Sequence, residues 1–149
     1  MDSTLISRRG VTFDFEIMET YSAGVSLFGH EVKSLRAKKG SLEGAHIVIR
    51  GGEAFLVGAS IPAYQQTKES KKYEPERPRK LLLTKKELNE LLNIESTKGL
   101  TLVPLKLYNS KRLIKVSFAV VRGKKTHDKR EDIKKRDVDR DIERTLKNQ

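Results

Sequence analysis

The chain has 149 residues, with 31 Lys plus Arg against 20 Asp plus Glu for a net charge of +11, and is 36% hydrophobic and 34% charged. That length argues for one domain and excludes a pair of catalytic domains, while the charge favours a polyanionic partner and excludes a basic one. Cysteine is absent, which removes disulfides, thiol nucleophiles and thiolate metal sites, and no apolar run approaches the roughly 18 residues that span a bilayer, so a soluble cytoplasmic protein is expected.

Residues 1–10 carry no apolar signal core and read as a flexible amino-terminal arm. Val11, Phe13, Phe15 and Ile17 alternate with polar neighbours, the period of a half-buried strand. Ser22-Ala23-Gly24 reads as a turn, Val25 to Phe28 as a second strand, and Glu31 to Arg36 as a short helix ending near Gly40. Ala45 to Arg50 and Glu53 to Val57 flank Gly51-Gly52, a linker suited to a type I′ hairpin. Tyr64 to Pro78 lacks periodicity and reads as an exposed loop.

Arg79 to Leu83 is a short apolar strand entered from a basic edge. Thr84-Lys85-Lys86-Glu87 has capping-box spacing, and Leu88, Leu91 and Leu92 supply a buried helical stripe closed by Gly99. Leu100 to Tyr108 and Leu113 to Val120 form two more strands around the polar tetrad Asn109 to Arg112, and Pro104 marks an edge or a bulge. The predicted fold is mainly β with short helices, a small antiparallel barrel related to the oligonucleotide-binding fold over residues 11–121. An open curved sheet on two helices would leave the same pattern.

Residues 122–149 hold 11 basic and 7 acidic residues, with Ile133, Val138, Ile142 and Leu146 as the aliphatic members. Such a tail cannot build its own core and is expected to be disordered when free. As a helix it would stack Arg136, Arg140 and Arg144 into one cationic stripe.

Enzymatic chemistry finds little support. His30, His46 and His127 are not at metal-ligand spacing, and Asp137-Val138-Asp139-Arg140-Asp141 opens like a calcium loop but lacks its glycine and its closing glutamate. No cofactor and no metal are expected. The basic residues gather instead at loops and strand ends: Arg8 and Arg9, Lys33 to Lys39, Lys68 to Lys80, Lys106 to Lys115, and the tail. Phosphate neutralisation explains such clusters, against the alternative of a merely soluble surface. With aromatics at 6%, shape and backbone recognition of a folded RNA is preferred to generic base stacking.

Particular strings go further: Glu31-Val32-Lys33-Ser34-Leu35-Arg36-Ala37, Arg79-Lys80-Leu81-Leu82-Leu83, Gly99 to Tyr108, and Gly123-Lys124-Lys125 followed by His127-Asp128-Lys129-Arg130-Glu131-Asp132-Ile133-Lys134. In this order and spacing, from about Phe13 to Arg136, they closely resemble the small protein B (SmpB) family, the SsrA- or tmRNA-binding proteins of bacteria. The resemblance implies a barrel that grips the tRNA-like domain of tmRNA. It also implies a tail that turns helical in the vacant mRNA channel and decoding centre of a stalled ribosome, so that the incomplete peptide is tagged. Elongation factor Tu and alanyl-tRNA synthetase are implied only as partners of the same RNA, and a monomer is expected.

By this resemblance the RNA-contacting leucine and lysine of the family fall on Leu82 and Lys115. In a strand from Lys80 to Leu83, Leu82 points away from Leu81 and Leu83, so its face is not core by default. Tyr21, Ala23 and Gly24 match the family's turn, but Ser22 stands where most members carry an RNA-binding glutamate, and a serine cannot organise an arginine by charge. Ser7-Arg8-Arg9-Gly10 departs from the usual amino-terminal box while keeping both arginines. The candidate tmRNA contacts are therefore Arg8, Arg9, Tyr21, Ser22, Gly24, Lys33, Arg36, Lys38, Arg79, Lys80, Leu82, Lys106 and Lys115. Those of the ribosome-binding tail are Gly123, Lys124, Lys125, His127, Asp128, Lys129, Arg130, Ile133, Lys134, Arg136, Arg140 and Arg144. The competing functions are a general single-strand nucleic-acid binder and a metal-assisted ribonuclease using Asp137, Asp139 and Asp141.

Overall fold

Two long strands that bury one face along most of their length and both faces at one end organise the molecule. The computed structural model describes residues 3–64 and 72–123, so the tail residues from Lys124 to Arg144 lie outside the described residues. In chain order the elements are β1 (Ser3–Ser7), α1 (Val11–Asp14), β2 (Phe15–Val25), α2 (Gly29–Arg36), β3 (His46–Arg50), β4 (Glu53–Val57), β5 (Arg79–Leu82), α3 (Lys85–Glu95), β6 (Leu100–Ser110) and β7 (Leu113–Gly123). The strands form one sheet in the order β1-β6-β7-β2-β5-β4-β3, antiparallel throughout. The sheet curls until edge strand β3 lies alongside β6 without forming a ladder to it, and this wraps the core in the manner of the expected antiparallel barrel.

Alternation fixes what the barrel encloses. Ile114, Val116, Phe118 and Val120 of β7 point inward with Leu102 and Leu107 of β6, Ile47 and Ile49 of β3, Leu56 of β4 and Leu81 of β5. The helices α2 and α3 contribute Leu35 and Leu91, both fully buried. On the opposite face of β7, Ala119 and Val121 join Val103 under Val11 of α1, with Phe15 and Leu105 packed around them. The outer face of the sheet is thus covered at one end.

Several expectations held. Gly51 and Gly52 take φ of 59° and 76°, the left-handed pair that a type I′ hairpin requires between β3 and β4. Thr84 caps α3 by accepting from the Glu87 N–H, while the Glu87 carboxylate accepts from the Thr84 N–H. Pro104 sits at a bulge, where the β6–β7 register slips between Pro104 and Lys106. At the other end of α3, Glu95 accepts from the Ile49 N–H on edge strand β3 and from Arg50, each at 2.6 Å.

Others are corrected. The alternating run from Val11 is not all strand: Gly10, at φ 74°, turns the chain, and Val11–Asp14 form one helical turn that lays Val11 over the sheet. Ser22-Ala23-Gly24 is no turn but the continuation of β2, because Ala23 is core and its neighbours pair across to β7. Phe28 is the extended residue preceding α2, not part of a strand. Residues 3–7, expected as a flexible arm, pair with β6 because Leu5 and Ile6 are buried. The sheet extends to Gly123, opposite Phe15, so the tail begins later than 122. Leu92 is 47% exposed, and Ile94 packs inward in its stead. Asn109 and Ser110 belong to β6, leaving Lys111 and Arg112 as the turn.

The most consequential correction concerns Arg79. Arg79 is fully buried, pointing inward beside Leu81 in β5, and it is therefore not placed to touch RNA. Its guanidinium donates to the Glu31 carboxylate at 2.7 and 3.1 Å, to the carbonyls of Ala59 and Pro75, and to the Tyr73 hydroxyl oxygen. Glu31, also fully buried, accepts further hydrogen bonds from the Tyr73 hydroxyl, from Arg77 and from the Phe28 N–H. The Tyr73 hydroxyl also lies 2.7 Å from the Ile61 carbonyl, so the second half of the loop is anchored to the barrel through Tyr73 and Arg77 while Lys72, Glu74, Pro75, Glu76 and Pro78 stay exposed as expected.

Burial alone would raise the Glu31 pKa, but the hydrogen bonds from Arg77, Tyr73, the Phe28 backbone and Arg79 outweigh it and lower the value from the ordinary 4.5 to about 2. A carboxyl with a depressed folded-state pKa stabilises the fold above its unfolded value, and that contribution disappears as pH falls through the folded one. Glu31→Gln leaves Arg79 buried without a countercharge and should cost about 3–5 kcal/mol. Urea denaturation at a series of pH values should show that loss at neutral pH. The drop in stability that the unaltered chain undergoes between pH 4.5 and about 2 should be much reduced in the variant.

Candidate nucleic-acid interface

The inward residues of β2, β5, β6 and β7 determine which residues face out. With Ile114, Val116 and Phe118 in the core, Leu113, Lys115 and Ser117 project from the other face of β7. Ala23 in the core puts Ser22 and Gly24 on that face of β2, and Leu81 and Arg79 in the core put Lys80 and Leu82 there on β5. The strand registers then set Tyr108, Lys115, Gly24 and Leu82 in one row across β6, β7, β2 and β5. A neighbouring row carries Lys106, Ser117 and Ser22.

Six of the expected contacts, Ser22, Gly24, Lys80, Leu82, Lys106 and Lys115, therefore share one face. Leu82, the last residue of β5, is 60% exposed, which is unusual for a leucine paired within a sheet. It folds over Gly24, where an added Cβ would lie only 3.3 Å from the Leu82 Cδ1 atom. The glycine thus lets an apolar side chain lie flat between Lys115 on one side and Lys80 on the other. Lys106 places its ammonium 5.4 Å from the Tyr108 ring centroid, and Lys80 is held by Glu53 at 2.9 Å. The face combines spaced cations, hydroxyls and one exposed leucine, a composition that suits a phosphate backbone with base or ribose edges between the phosphates.

The remaining expected contacts lie elsewhere. Arg8 is half-buried, donates to the Ala45 carbonyl at 3.0 Å and lies 5.6 Å over Phe15, whereas Arg9 is exposed. Lys33 and Arg36 are exposed on α2, and Lys38, just beyond it, donates to the Thr4 carbonyl at 2.6 Å on β1. Tyr21 turns to the core side and stacks on Phe118 at 5.6 Å. Burial and a hydrogen bond to Glu19 raise its hydroxyl pKa. Gly123 closes β7.

One feature escaped the sequence. An open groove of about 550 Å³ runs beside Leu82, lined by Glu53, Lys80, Leu83, Thr84 and Leu88 among others. It exists because β4, β5 and the start of α3 converge, which no single segment announces. Among the described residues no group of three His, Asp or Glu could hold a metal ion, and no helix is long and apolar enough to cross a membrane.

Comparison with known proteins gives a consistent set of similarities. A family model described as SmpB protein matches residues 5–148. The SsrA-binding protein of Microcystis aeruginosa is 48% identical over 133 residues, covering 89% of this chain and 86% of that protein. The SsrA-binding protein of Thermosynechococcus vestitus is 47% identical over 143 residues, covering 96% and 94%. A solved structure described as "tmRNA-SmpB: a journey to the center of the bacterial ribosome" contains a chain 42% identical to this one, with a TM-score of 0.71, covering 88% of this chain and 95% of that one.

If Leu82 is held for an external contact, truncating it should leave the fold almost unaffected. Leu82→Ala should change unfolding free energy by no more than about 0.5 kcal/mol. Its buried neighbour behaves oppositely: Leu81→Ala should cost about 2–5 kcal/mol. Denaturant melts of the two variants side by side check the contrast.

Proposed function

The chain belongs to the SmpB family, and from that premise we propose that it is an RNA-binding adaptor that grips the tRNA-like domain of tmRNA and delivers it to stalled ribosomes for trans-translation. The observation that carries this reading is the row Tyr108, Lys115, Gly24 and Leu82, an exposed leucine laid over a glycine beside a lysine on an otherwise well-packed sheet. Lys106 and Lys115 neutralise phosphates of the folded RNA, and Leu82 contacts a base or sugar between them. Arg9, Lys33 and Arg36 add positive charge from the amino-terminal segment and α2, which steers the RNA before the short-range contacts form. Ser22 supplies a hydroxyl beside Ser117.

Residues 124–149 take the second role. His127, Asp128, Lys129 and Arg130 meet the decoding centre, and the stripe of Arg136, Arg140 and Arg144 lies along ribosomal RNA in the mRNA channel. Work is divided between a body that holds one RNA and a tail that reads the vacancy in another. No bond is made or broken by this chain. Elongation factor Tu and alanyl-tRNA synthetase meet it through tmRNA, and the protein acts as a monomer in the cytoplasm, where the ribosomes are.

Gel-shift titration with the tRNA-like domain tests the body. With about 5 phosphates neutralised, the logarithm of the affinity should fall against log salt with a slope of order −4. Lys115→Ala should weaken binding and flatten that slope by about 1. Equal affinity for an unstructured oligonucleotide would overturn the reading in favour of a general single-strand binder. For the tail, alanine at His127, Asp128, Lys129 and Arg130 together should leave the affinity for tmRNA intact and abolish peptide tagging on stalled ribosomes.

A further inference from the structure

We infer that Leu113 is a second apolar contact residue for the RNA bound by this face, forming with Leu82 an exposed apolar band set among lysines and an arginine. The inference rests on the adaptor reading above and deepens it. Leu113 is 63% exposed, the most open of the large hydrophobic side chains in the described residues. Its neighbour Ile114 is core, so Leu113 projects from the same face as Lys115, two residues further along β7. Across the sheet, Gly24 is the register partner of both Lys115 and Leu82, so Leu113 and Leu82 lie on strands separated only by β2.

Neighbouring strands are spaced by about 4.8 Å, and two residues along a strand cover about 6.8 Å. The two leucines are therefore roughly 12 Å apart on the diagonal, near the reach of two successive nucleotides of a folded strand. Gly24, which lies directly between Lys115 and Leu82, has no side chain to stand between those two residues. Lys111 and Arg112 in the adjoining turn, with Lys106 and Lys115 on the sheet, place cations around the band. An apolar partner protein would gain nothing from four cations at the rim, whereas unpaired bases or ribose edges between phosphates use both kinds of group. The occupant is accordingly the same folded RNA that Leu82 and Lys115 engage.

The test measures the affinity of full-length variants for the tRNA-like domain at two salt concentrations, alongside their thermal midpoints. Leu113→Ala should keep its midpoint, bind about 10-fold more weakly, and retain the salt slope of the unaltered chain, since an apolar contact releases no counterion. Leu113→Met should restore most of the affinity by supplying similar apolar area. Unchanged affinity in Leu113→Ala, while Leu82→Ala binds weakly, would overturn the inference and leave the adaptor reading standing. Loss of a dimer on sedimentation without loss of RNA affinity would also overturn it, because the patch would then serve a second copy of the chain. Failure of the unaltered chain to bind the RNA at all would instead sink the adaptor reading itself.

Discussion

The buried pair between Glu31 of α2 and Arg79 of β5 is the constraint on which the rest of the arrangement depends. Two charges withdrawn from water are tolerated only when each is fully hydrogen-bonded. Arg79 spends its donors on one carboxylate, two carbonyls and a tyrosine oxygen. That satisfaction requires Arg79 to point inward, and because side chains alternate along a strand, Lys80 and Leu82 must then point outward. A slip of one residue would bury Lys80 and Leu82 and expose the arginine, depriving Glu31 of its fully buried partner. The same pair ties α2, β5 and the preceding loop into one unit, so the position of the exposed leucine is set from inside the molecule.

A second constraint shapes the outer face. A sheet with both faces apolar needs two covers, and here the outer one is partial: α1 and Phe15 shield Val103, Ala119 and Val121, while the part around Lys115 stays open. The division follows from the sequence of β7 itself, whose outward positions run from Leu113, Lys115 and Ser117 to Ala119 and Val121. Small apolar residues call for a lid and polar ones leave the surface wet. One strand thus carries both the seat of the lid and part of the open cationic face.

Much of this was legible in the residues. The Gly51-Gly52 hairpin, the capped helix after Thr84 and the bulge at Pro104 are local events, decided by backbone preference or a short-range hydrogen bond, and they stand where the pattern puts them. What misled was anything decided at a distance. Val11 looks like the start of a strand because its spacing to Phe13 and Phe15 is two, yet Gly10 turns the chain into a helical turn. Ser22 to Gly24 looks like a turn because small residues cluster there, but Gly24 is small to admit Leu82 from another strand. Arg79 looks like a surface cation because arginine usually is one, and only the acid 48 residues earlier makes it core. Of the candidate contacts, those on alternating strands came together, whereas Tyr21 turned out to serve the core.

The hydrogen bond from the Ile49 N–H to Glu95 has a consequence for life in a crowded cell. Strand β3 ends the sheet, and an unprotected border of this kind invites the backbone of a neighbouring molecule to add on, the first step toward fibrils. The carboxylate at the end of α3 occupies one of the amides such an intruder would need, and Arg50 holds it in place. A single acidic side chain therefore acts as a guard against polymerisation.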